Sequence, residues 1–205
     1  MKLTYFGHST FEIAFENLTV VTDPCSIGYP KKPARADVVT ESHQHHDHND
    51  TTGMEVTHVL STAGEWEIGG VKFSTVSTWH DPEGGKLRGD NRIFVIEAEG
   101  LRIAHLGDMG EANGADSLSD IDVLLIPVGG YYTISTDEAY EIVRRIQPKV
   151  VIPMHFKTEC IDYPIETVDR FAGMTKAEFA ASSAIEITKD AIDAMPGAVV
   201  LPYMK

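Results

Sequence analysis

The order of apolar and polar positions predicts short β-strands in the first part of the chain. Residues 2 to 22 contain three short runs rich in apolar and β-branched residues, and Glu16-Asn17 supplies a turn. This pattern is typical of a β-meander. The run Asp37-Val38-Val39-Thr40 follows and leads directly into the polar segment Glu41 to Asn49. The sequence therefore predicts a buried strand that ends in a polar loop, a usual place for chemistry.

Strands are predicted to dominate the middle of the chain. Each candidate run is short, rich in β-branched residues and bounded by glycine, proline or charge. These runs are Val71 to Val76, Arg92 to Ala98, Leu101 to Leu106, Val123 to Pro127 and Lys149 to Pro153.

Helical spacing is clearest in the segment that follows the fourth of these runs. Ser135 and Glu138 have the spacing of a capping box, and apolar residues then recur at helical intervals until Pro148 ends the pattern. We expect this helix to pack on a sheet. Weaker patterns predict two further helices and a last strand, namely Glu166 to Ala172, Lys176 to Ala184 and Ala198 to Tyr203.

Composition favours one compact domain over residues 1–205. The chain has 205 residues, of which 42% are hydrophobic and 23% are charged, so it can bury one or two apolar layers. The sequence contains no tandem repeat and no low-complexity linker. We therefore expect no second domain.

Charge and cysteine content limit the partners and the compartment. The 31 acidic residues outnumber the 17 basic ones and give a formal charge of −14, which disfavours a nucleic-acid partner. Cys25 and Cys160 lie far apart without C-x-x-C spacing, so neither a disulfide framework nor a thiolate metal site is predicted. No apolar segment is long enough for a signal core or a membrane span. We expect a cytoplasmic protein without membrane contact.

The segment Ser42-His43-Gln44-His45-His46-Asp47-His48 carries the main chemical signal. It places four imidazoles and one carboxylate within six positions, directly after a predicted strand. Imidazole and carboxylate are good ligands for zinc and similar divalent ions. In a turning loop His43 and His45 could share one ion, while Asp47 and His48 face a second. The alternative is a solvated polar loop without partners, which such a density of ligand types disfavours.

Three remote segments add ligand types just beyond predicted strands. Trp79-His80-Asp81 follows the Val71 strand, Gly107-Asp108 follows the Leu101 strand, and Met154-His155 follows the Lys149 strand. Strand ends on one edge of a sheet lie close together, so these loops could complete the coordination of metal ions.

With these residues in place, the chain resembles the metallo-β-lactamase superfamily. The superfamily signature HxHxDH is met by His43, His45, Asp47 and His48. The remaining metal ligands of the family correspond in order and context to His80, Asp108 and His155. The resemblance covers about Leu3 to His155 and implies an α/β fold, a four-layer αββα sandwich. The chain of 205 residues is near the minimum length for that fold. A homo-oligomer is therefore an open alternative, because a dimer would help to enclose the pocket.

Softer motifs resemble the small branch of this superfamily that is related to the ascorbate-6-phosphate lactonases. These motifs are Gly7-His8-Ser9, the segment from Gly64 to Gly70, Pro127-Val128-Gly129-Gly130 and Pro153-Met154-His155-Phe156.

The resemblance implies a site for two divalent metal ions. It assigns His43, His45 and His80 to the first ion, Asp47, His48 and His155 to the second, and Asp108 to a bridge between them. A water shared by the two ions would be the nucleophile, as hydroxide, because the ions lower its pKa towards neutral. Zinc is the expected metal, followed by manganese, with iron and nickel also compatible. Asp47 could also accept a proton from the water during the reaction.

Other histidines are assigned with alternatives. His8 is a candidate catalytic residue that would donate a proton to a leaving group or bind substrate, and a satisfied structural role is an equal alternative. His46 occupies the non-ligand position of the signature and is expected to point away. His58 is predicted to be structural. His105 could hold a ligand by a hydrogen bond or have a structural role.

Glycines and basic residues suggest a substrate pocket. Gly129-Gly130 could let the backbone approach substrate, although a plain tight turn is favoured. Tyr131 and Tyr132 would then be candidate pocket walls. A phosphate or carboxylate could bind basic residues in either of two loops, although a solvated surface is the favoured alternative for each. These residues are Lys31, Lys32, Arg35, Lys86, Arg88 and Arg92.

The predicted function is hydrolysis of an ester-like bond, in a lactone or a phosphodiester, within a small anionic metabolite. The fold alone does not choose between these substrates. Two alternatives stay open, namely a non-catalytic protein that binds metal or ligand, and an iron-dependent redox enzyme.

Overall fold

The computed structural model describes residues 1–205, and two six-stranded sheets form its framework. The first sheet contains β1 (Lys2–Gly7), β2 (Thr10–Ala14), β3 (Thr19–Thr22), β4 (Arg35–Thr40), β5 (Glu55–Leu60) and β13 (Ala184–Glu186). The second sheet contains β6 (Glu65–Ile68), β7 (Val71–Trp79), β8 (Asp90–Ala98), β9 (Leu101–His105), β10 (Val123–Pro127) and β11 (Val150–Met154). A short parallel ladder joins β12 (Glu178–Phe179) and β14 (Val199–Val200).

Both sheets are mixed. The first has the order β13-β1-β2-β3-β4-β5, antiparallel from β13 to β3 and parallel from β3 to β5. The second has the order β11-β10-β9-β8-β7-β6, parallel across β9, β10 and β11 and antiparallel elsewhere. The carboxyl ends of parallel neighbours meet at one edge of each sheet, and this edge carries the loops of the candidate site.

The sheets pack through one apolar core. A cluster of 45 buried residues includes Leu3 and Ile13 from the first sheet and Phe94 and Ile103 from the second. All positions of β10 and β11 are buried, as expected for parallel strands covered on both faces. The predicted α/β sandwich is confirmed, with two packed mixed sheets and few helices.

The two α-helices are α1 (Thr136–Ile146) and α2 (Asp169–Thr175), and a 3₁₀ turn covers Ile192–Ala194. The predicted capping box of α1 is confirmed, because the Glu138 amide donates to the Ser135 hydroxyl and the Ser135 amide donates to the Glu138 carboxylate. No helix of the structure is long and apolar enough to cross a membrane.

The predicted helix over Lys176 to Ala184 is wrong. The Glu178 amide donates to the Ala198 carbonyl, and the Ala180 amide donates to the Val200 carbonyl. This pairing with β14 holds the segment extended, so tertiary contacts override local helix propensity.

Candidate metal centre

Every metal ligand predicted from the sequence lies just beyond the carboxyl end of a strand. The histidine-rich loop follows β4, His80 follows β7, Asp108 lies three residues beyond β9, and His155 follows β11. β4 belongs to the first sheet, whereas β7, β9 and β11 belong to the second, so the site lies where the edges of the two sheets meet. The Arg92 amide, which donates to the Ser42 carbonyl at 2.9 Å, is one hydrogen bond that closes this junction.

The structure gathers ligand types into two neighbouring clusters of imidazoles. One nitrogen from each member of a cluster lies within 4.8 Å of the others. The first cluster is His43, His45 and His80, and the second is His8, His48 and His155. The first cluster is the set predicted for the first ion.

Asp108 lies between the clusters. Its Oδ2 atom is 3.1 Å from Nε2 of His48, 3.2 Å from Nε2 of His155 and 3.3 Å from Nε2 of His80. Burial alone would raise the pKa of the Asp108 carboxyl, but the nearby His155 and His48 hold it well below its ordinary value. The carboxylate is therefore ionised and shared between the clusters, as the predicted bridging role requires.

Asp47 lies beside the second cluster without belonging to it. Its Oδ2 atom is 3.4 Å from Nε2 of His8, and its side chain remains 14% exposed. Burial alone would raise the pKa of the Asp47 carboxyl, but nearby His8 and His48 together outweigh it and lower the pKa below its ordinary value. Its role as a ligand stays a prediction.

The unpaired polar atoms of the site fit metal ions. Nε2 of His43 and Oδ1 of Asp108 are buried and have no hydrogen-bond partner, and Nε2 of His48 lies 3.1 Å from Oδ2 of Asp108 outside hydrogen-bond geometry. Leaving such an atom buried and unpaired costs about 1–3 kcal/mol. Divalent cations are the partners that this set of imidazole and carboxylate donors would satisfy.

Asp23 orients ligands of both clusters and was missed in the sequence. Its buried carboxylate accepts hydrogen bonds from the Ser42 amide at 2.7 Å, from the Ser42 hydroxyl at 2.6 Å and from Nδ1 of His48 at 2.8 Å. The Ser42 hydroxyl also lies 2.9 Å from Nδ1 of His43. These contacts leave Nε2 of both histidines for a metal ion. The available signal was its position directly after β3, the same context as the other site residues.

Asn91 fixes the loop that carries Asp108. Its side-chain oxygen accepts from the Asp108 amide at 2.9 Å, and its side-chain nitrogen donates to the Leu106 carbonyl and the Thr78 hydroxyl. Gly110 brings the same loop against the backbone of His80, where a β-carbon would overlap it. The two residues hold Asp108 and His80 at a fixed separation.

Burial keeps several imidazoles uncharged. It lowers the pKa of His43 to about 2, with nearby His48 adding to the effect, and that of His8 to about 4, with nearby His155 adding to it. Burial also favours the neutral form of His48, but Asp108 and Asp23 outweigh it and raise its pKa well above the ordinary value. Neutral imidazole is the form that coordinates metals.

A cleft of about 360 Å³ opens onto the clusters. Its wall includes Arg88, Tyr132 and Tyr163, and the Arg88 guanidinium lies 5.5 Å from the Tyr132 ring centre. Asp81 shapes the loop before Arg88 by accepting backbone hydrogen bonds from four residues of the segment 83–88. Tyr163 was not singled out in the sequence.

The other histidines have clear surroundings. His46 is exposed, with a side chain 80% accessible, and it lines the cleft beside the ligands. His58 is exposed on β5. His105 is buried, where Nε2 contacts the Ser9 carbonyl and Nδ1 accepts from the Gly107 amide. It therefore supports the loop before Asp108 and contacts no ligand side chain by hydrogen bond.

The glycine, tyrosine and basic-residue candidates for a substrate pocket have different positions in the structure. Gly130 lies in a turn and accepts from the Tyr132 amide, whereas Gly129 packs against the His155 carbonyl, where no β-carbon would fit. Arg88 is the one candidate cation that lines the cleft. Tyr131 is exposed and does not line it.

Comparison with known proteins identifies the family of this chain. Residues 2–155 match the model of the β-lactamase superfamily domain. A metal-dependent hydrolase from Methanoculleus marisnigri is 32% identical over 185 residues, covering 77% of this chain and 82% of that protein. Another from Thermococcus onnurineus is 29% identical over 192 residues, covering 77% and 85%. None of these relatives is named a lactonase, so the narrower resemblance stays a prediction.

Solved structures share the whole fold. A metallo-β-lactamase superfamily protein from Thermotoga maritima, named as a Zn-dependent hydrolase, is 36% identical, with a TM-score of 0.83 and coverage of 99% of both chains. A protein from Parabacteroides distasonis, named as a metal-dependent hydrolase, is 20% identical, with a TM-score of 0.67 and coverage of 97% and 90%, which shows the fold alone. Since the family model matches residues 2–155 and the Thermotoga maritima protein is 36% identical over 99% of the chain, this chain belongs to the metallo-β-lactamase superfamily.

Proposed function

We propose that this chain is a metal-dependent hydrolase that holds two divalent ions and cleaves an ester-like bond in a small anionic molecule. The observation that carries the proposal is the convergence of two imidazole clusters on one shared carboxylate, Asp108, at the floor of an open cleft. The relatives named as metal-dependent hydrolases support the same reaction class.

The two ions would be held by ligands from the two sheet edges. His43, His45 and His80 would hold the first, Asp47, His48 and His155 the second, and Asp108 both. Bound ions of this kind lower the pKa of a water molecule to about 7 and so supply a nucleophile at neutral pH. The nitrogen-rich donor set favours zinc, with manganese next.

The protein contributes orientation and charge. The Asp23 carboxylate and the Ser42 hydroxyl fix the rings of His48 and His43 through their Nδ1 atoms. Asp108 would supply a carboxylate ligand to both ions, because it lies next to histidines of both clusters, and its negative charge would offset the repulsion between two cations. Asp47 is ionised at the rim of the second cluster, where it can accept a proton from the attacking water.

The cleft supports an anionic substrate. Arg88 provides a permanent cation in its wall, and a guanidinium can bind a carboxylate or phosphate through paired hydrogen bonds. Burial, together with the negative charge of Asp47, raises the pKa of Tyr163 to about 12. The phenol therefore keeps its proton and can donate a hydrogen bond to the substrate. A lactone and a phosphodiester are the two substrate types that we propose.

Hydrolysis of a panel of sugar-acid lactones and phosphodiesters tests the function. Protein reconstituted separately with zinc and manganese should turn over one class, and Asp108→Ala should lose activity and bound metal. Asp116→Ala is the matched control, because this carboxylate is exposed and pairs with Arg145 away from the cleft. Two bound ions without turnover across the panel would favour a metal-binding protein that is not an enzyme.

The role of Arg88 has its own control in the same loop. Arg88→Ala should raise KM for the active substrate while metal content stays at the native value, and Lys86→Ala should leave both unchanged because Lys86 does not line the cleft. An unchanged KM in Arg88→Ala would remove the proposed anion contact.

A further inference from the structure

His8 occupies a place in the structure that the predicted ligand set does not explain. It lies in the two-residue connection between β1 and β2, and it is completely buried. Both of its ring nitrogens are inaccessible and lack a hydrogen-bond partner. The Asp47 carboxylate lies 3.4 Å from Nε2 but outside hydrogen-bond geometry. Buried polar groups in folded proteins are nearly always paired, so these unpaired nitrogens indicate a partner outside the polypeptide.

The backbone holds this side chain in a specific and strained position. The φ angle of His8 is 54°, in the left-handed region that most residues other than glycine and asparagine avoid. The His8 carbonyl accepts hydrogen bonds from the Tyr5 hydroxyl at 3.0 Å and from the His155 amide at 2.8 Å. His155 has a φ of 50° as well. Strain of this kind is concentrated at functional sites.

This arrangement places His8 among the ligands of the second ion. Its ring centre is 4.2 Å from that of His155 and 5.0 Å from that of His48. Each of the three rings offers a nitrogen within 4.8 Å of the other two, the same closeness as in the cluster of His43, His45 and His80. Asp47 does not meet this criterion with His48 and His155.

We propose that His8 is a metal ligand, and that His8, His48 and His155 form a three-imidazole site for the second ion. The inference rests on the proposed function, since it requires two bound ions. His8 then takes the place that the proposed ligand set gives to Asp47. The Asp47 carboxylate lies 3.4 Å from Nε2 of His8 and stays available to bind a proton. Three imidazole nitrogens, with Asp108 as the one carboxylate beside them, favour zinc, cobalt and nickel over manganese at this site.

Cobalt titration of metal-free protein tests the proposal. The variant is His8→Asn, because asparagine tolerates the left-handed backbone and removes only the imidazole. His58→Asn is the matched control, since it deletes an exposed histidine on β5. Wild type and His58→Asn should bind two cobalt ions per chain, and His8→Asn should bind the second at least ~10-fold more weakly, the size of effect seen even for residues that only orient a ligand. Circular dichroism and thermal unfolding in EDTA establish that the variant is folded.

Proton NMR of the cobalt protein identifies the ligands directly. Each coordinating imidazole carries an exchangeable N–H proton that the paramagnetic ion shifts strongly. The spectrum of His8→Asn, recorded at saturating cobalt, should lack one such signal present in wild type, and Asp47→Asn should retain it. Two ions of native affinity with every shifted signal present in His8→Asn would overturn the role of His8 alone. A single bound ion in wild type would instead overturn the binuclear function.

Discussion

Asp23→Asn provides a quantitative test of how the site is oriented. The buried carboxylate accepts three hydrogen bonds, two from Ser42 and one from Nδ1 of His48. The substitution keeps the shape of the side chain but removes its charge. Hydrogen bonds to charged groups contribute about 1.5–3 kcal/mol and neutral ones about 0.5–1.5 kcal/mol. In the variant, the hydrogen bond from Nδ1 of His48 should therefore be weaker by about 1–2 kcal/mol.

The same loss should appear in metal affinity. Removing the partner of a metal-bound histidine lowers affinity by about 10–100-fold, or about 1.4–2.8 kcal/mol at 1.4 kcal/mol per factor of ten. Competition with a chromophoric chelator measures the zinc affinity of wild type and Asp23→Asn under the same buffer and pH. Hydrolysis should fall in parallel at limiting zinc and recover in part at saturating zinc.

Asp122→Asn is the matched control. Its carboxylate is also buried and accepts from the Arg102 amide at 2.9 Å and from the Lys189 ammonium at 2.8 Å. Asp122 precedes β10, at the end of the sheet opposite the metal centre. The Asp122→Asn variant should be less stable in urea unfolding but should keep the zinc affinity of wild type. If the zinc affinity of Asp23→Asn lies within about twofold of wild type, far below the tenfold that 1.4 kcal/mol represents, the orienting role is refuted.

Two further predictions concern stability and packing. Burial raises the pKa of the Glu12 carboxyl above its ordinary value of 4.5. The folded state therefore binds a proton at Glu12 more tightly than the unfolded state does, and it loses stability relative to Glu12→Gln as pH rises through the folded-state pKa. Urea unfolding in EDTA should find Glu12→Gln the more stable at pH 7, with no difference well below 4.5. Gly110→Ala should cost about 1–3 kcal/mol and weaken zinc binding, because its β-carbon overlaps the backbone of His80. Gly173→Ala, which has open space around it, should do neither.

Local patterns in the sequence determined much of the fold. The β-branched runs predicted β7 to β11 because both faces of these strands, or one face in alternation, must be apolar to be buried. The capping box fixed the start of α1, since Ser135 and Glu138 pair within one turn. The edge strands β5 and β6 were missed because most of their positions are partly or fully exposed, which leaves no apolar pattern to detect.

The signature from His43 to His48 made the metal site visible in the sequence, because its ligand types lie within one loop. The sequence also predicted His80, Asp108 and His155 as ligands from distant loops, but only the tertiary structure decided that Asp23 and His8 contact the ligands of this loop. Asp23 and His8 are single residues without a repeated pattern, and each reaches the site because its strand ends at the shared edge of the two sheets. The hydrogen bond between the His155 amide and the His8 carbonyl links residues 147 positions apart. Contacts of that range depend on strand order and sheet packing, and local sequence carries no record of either.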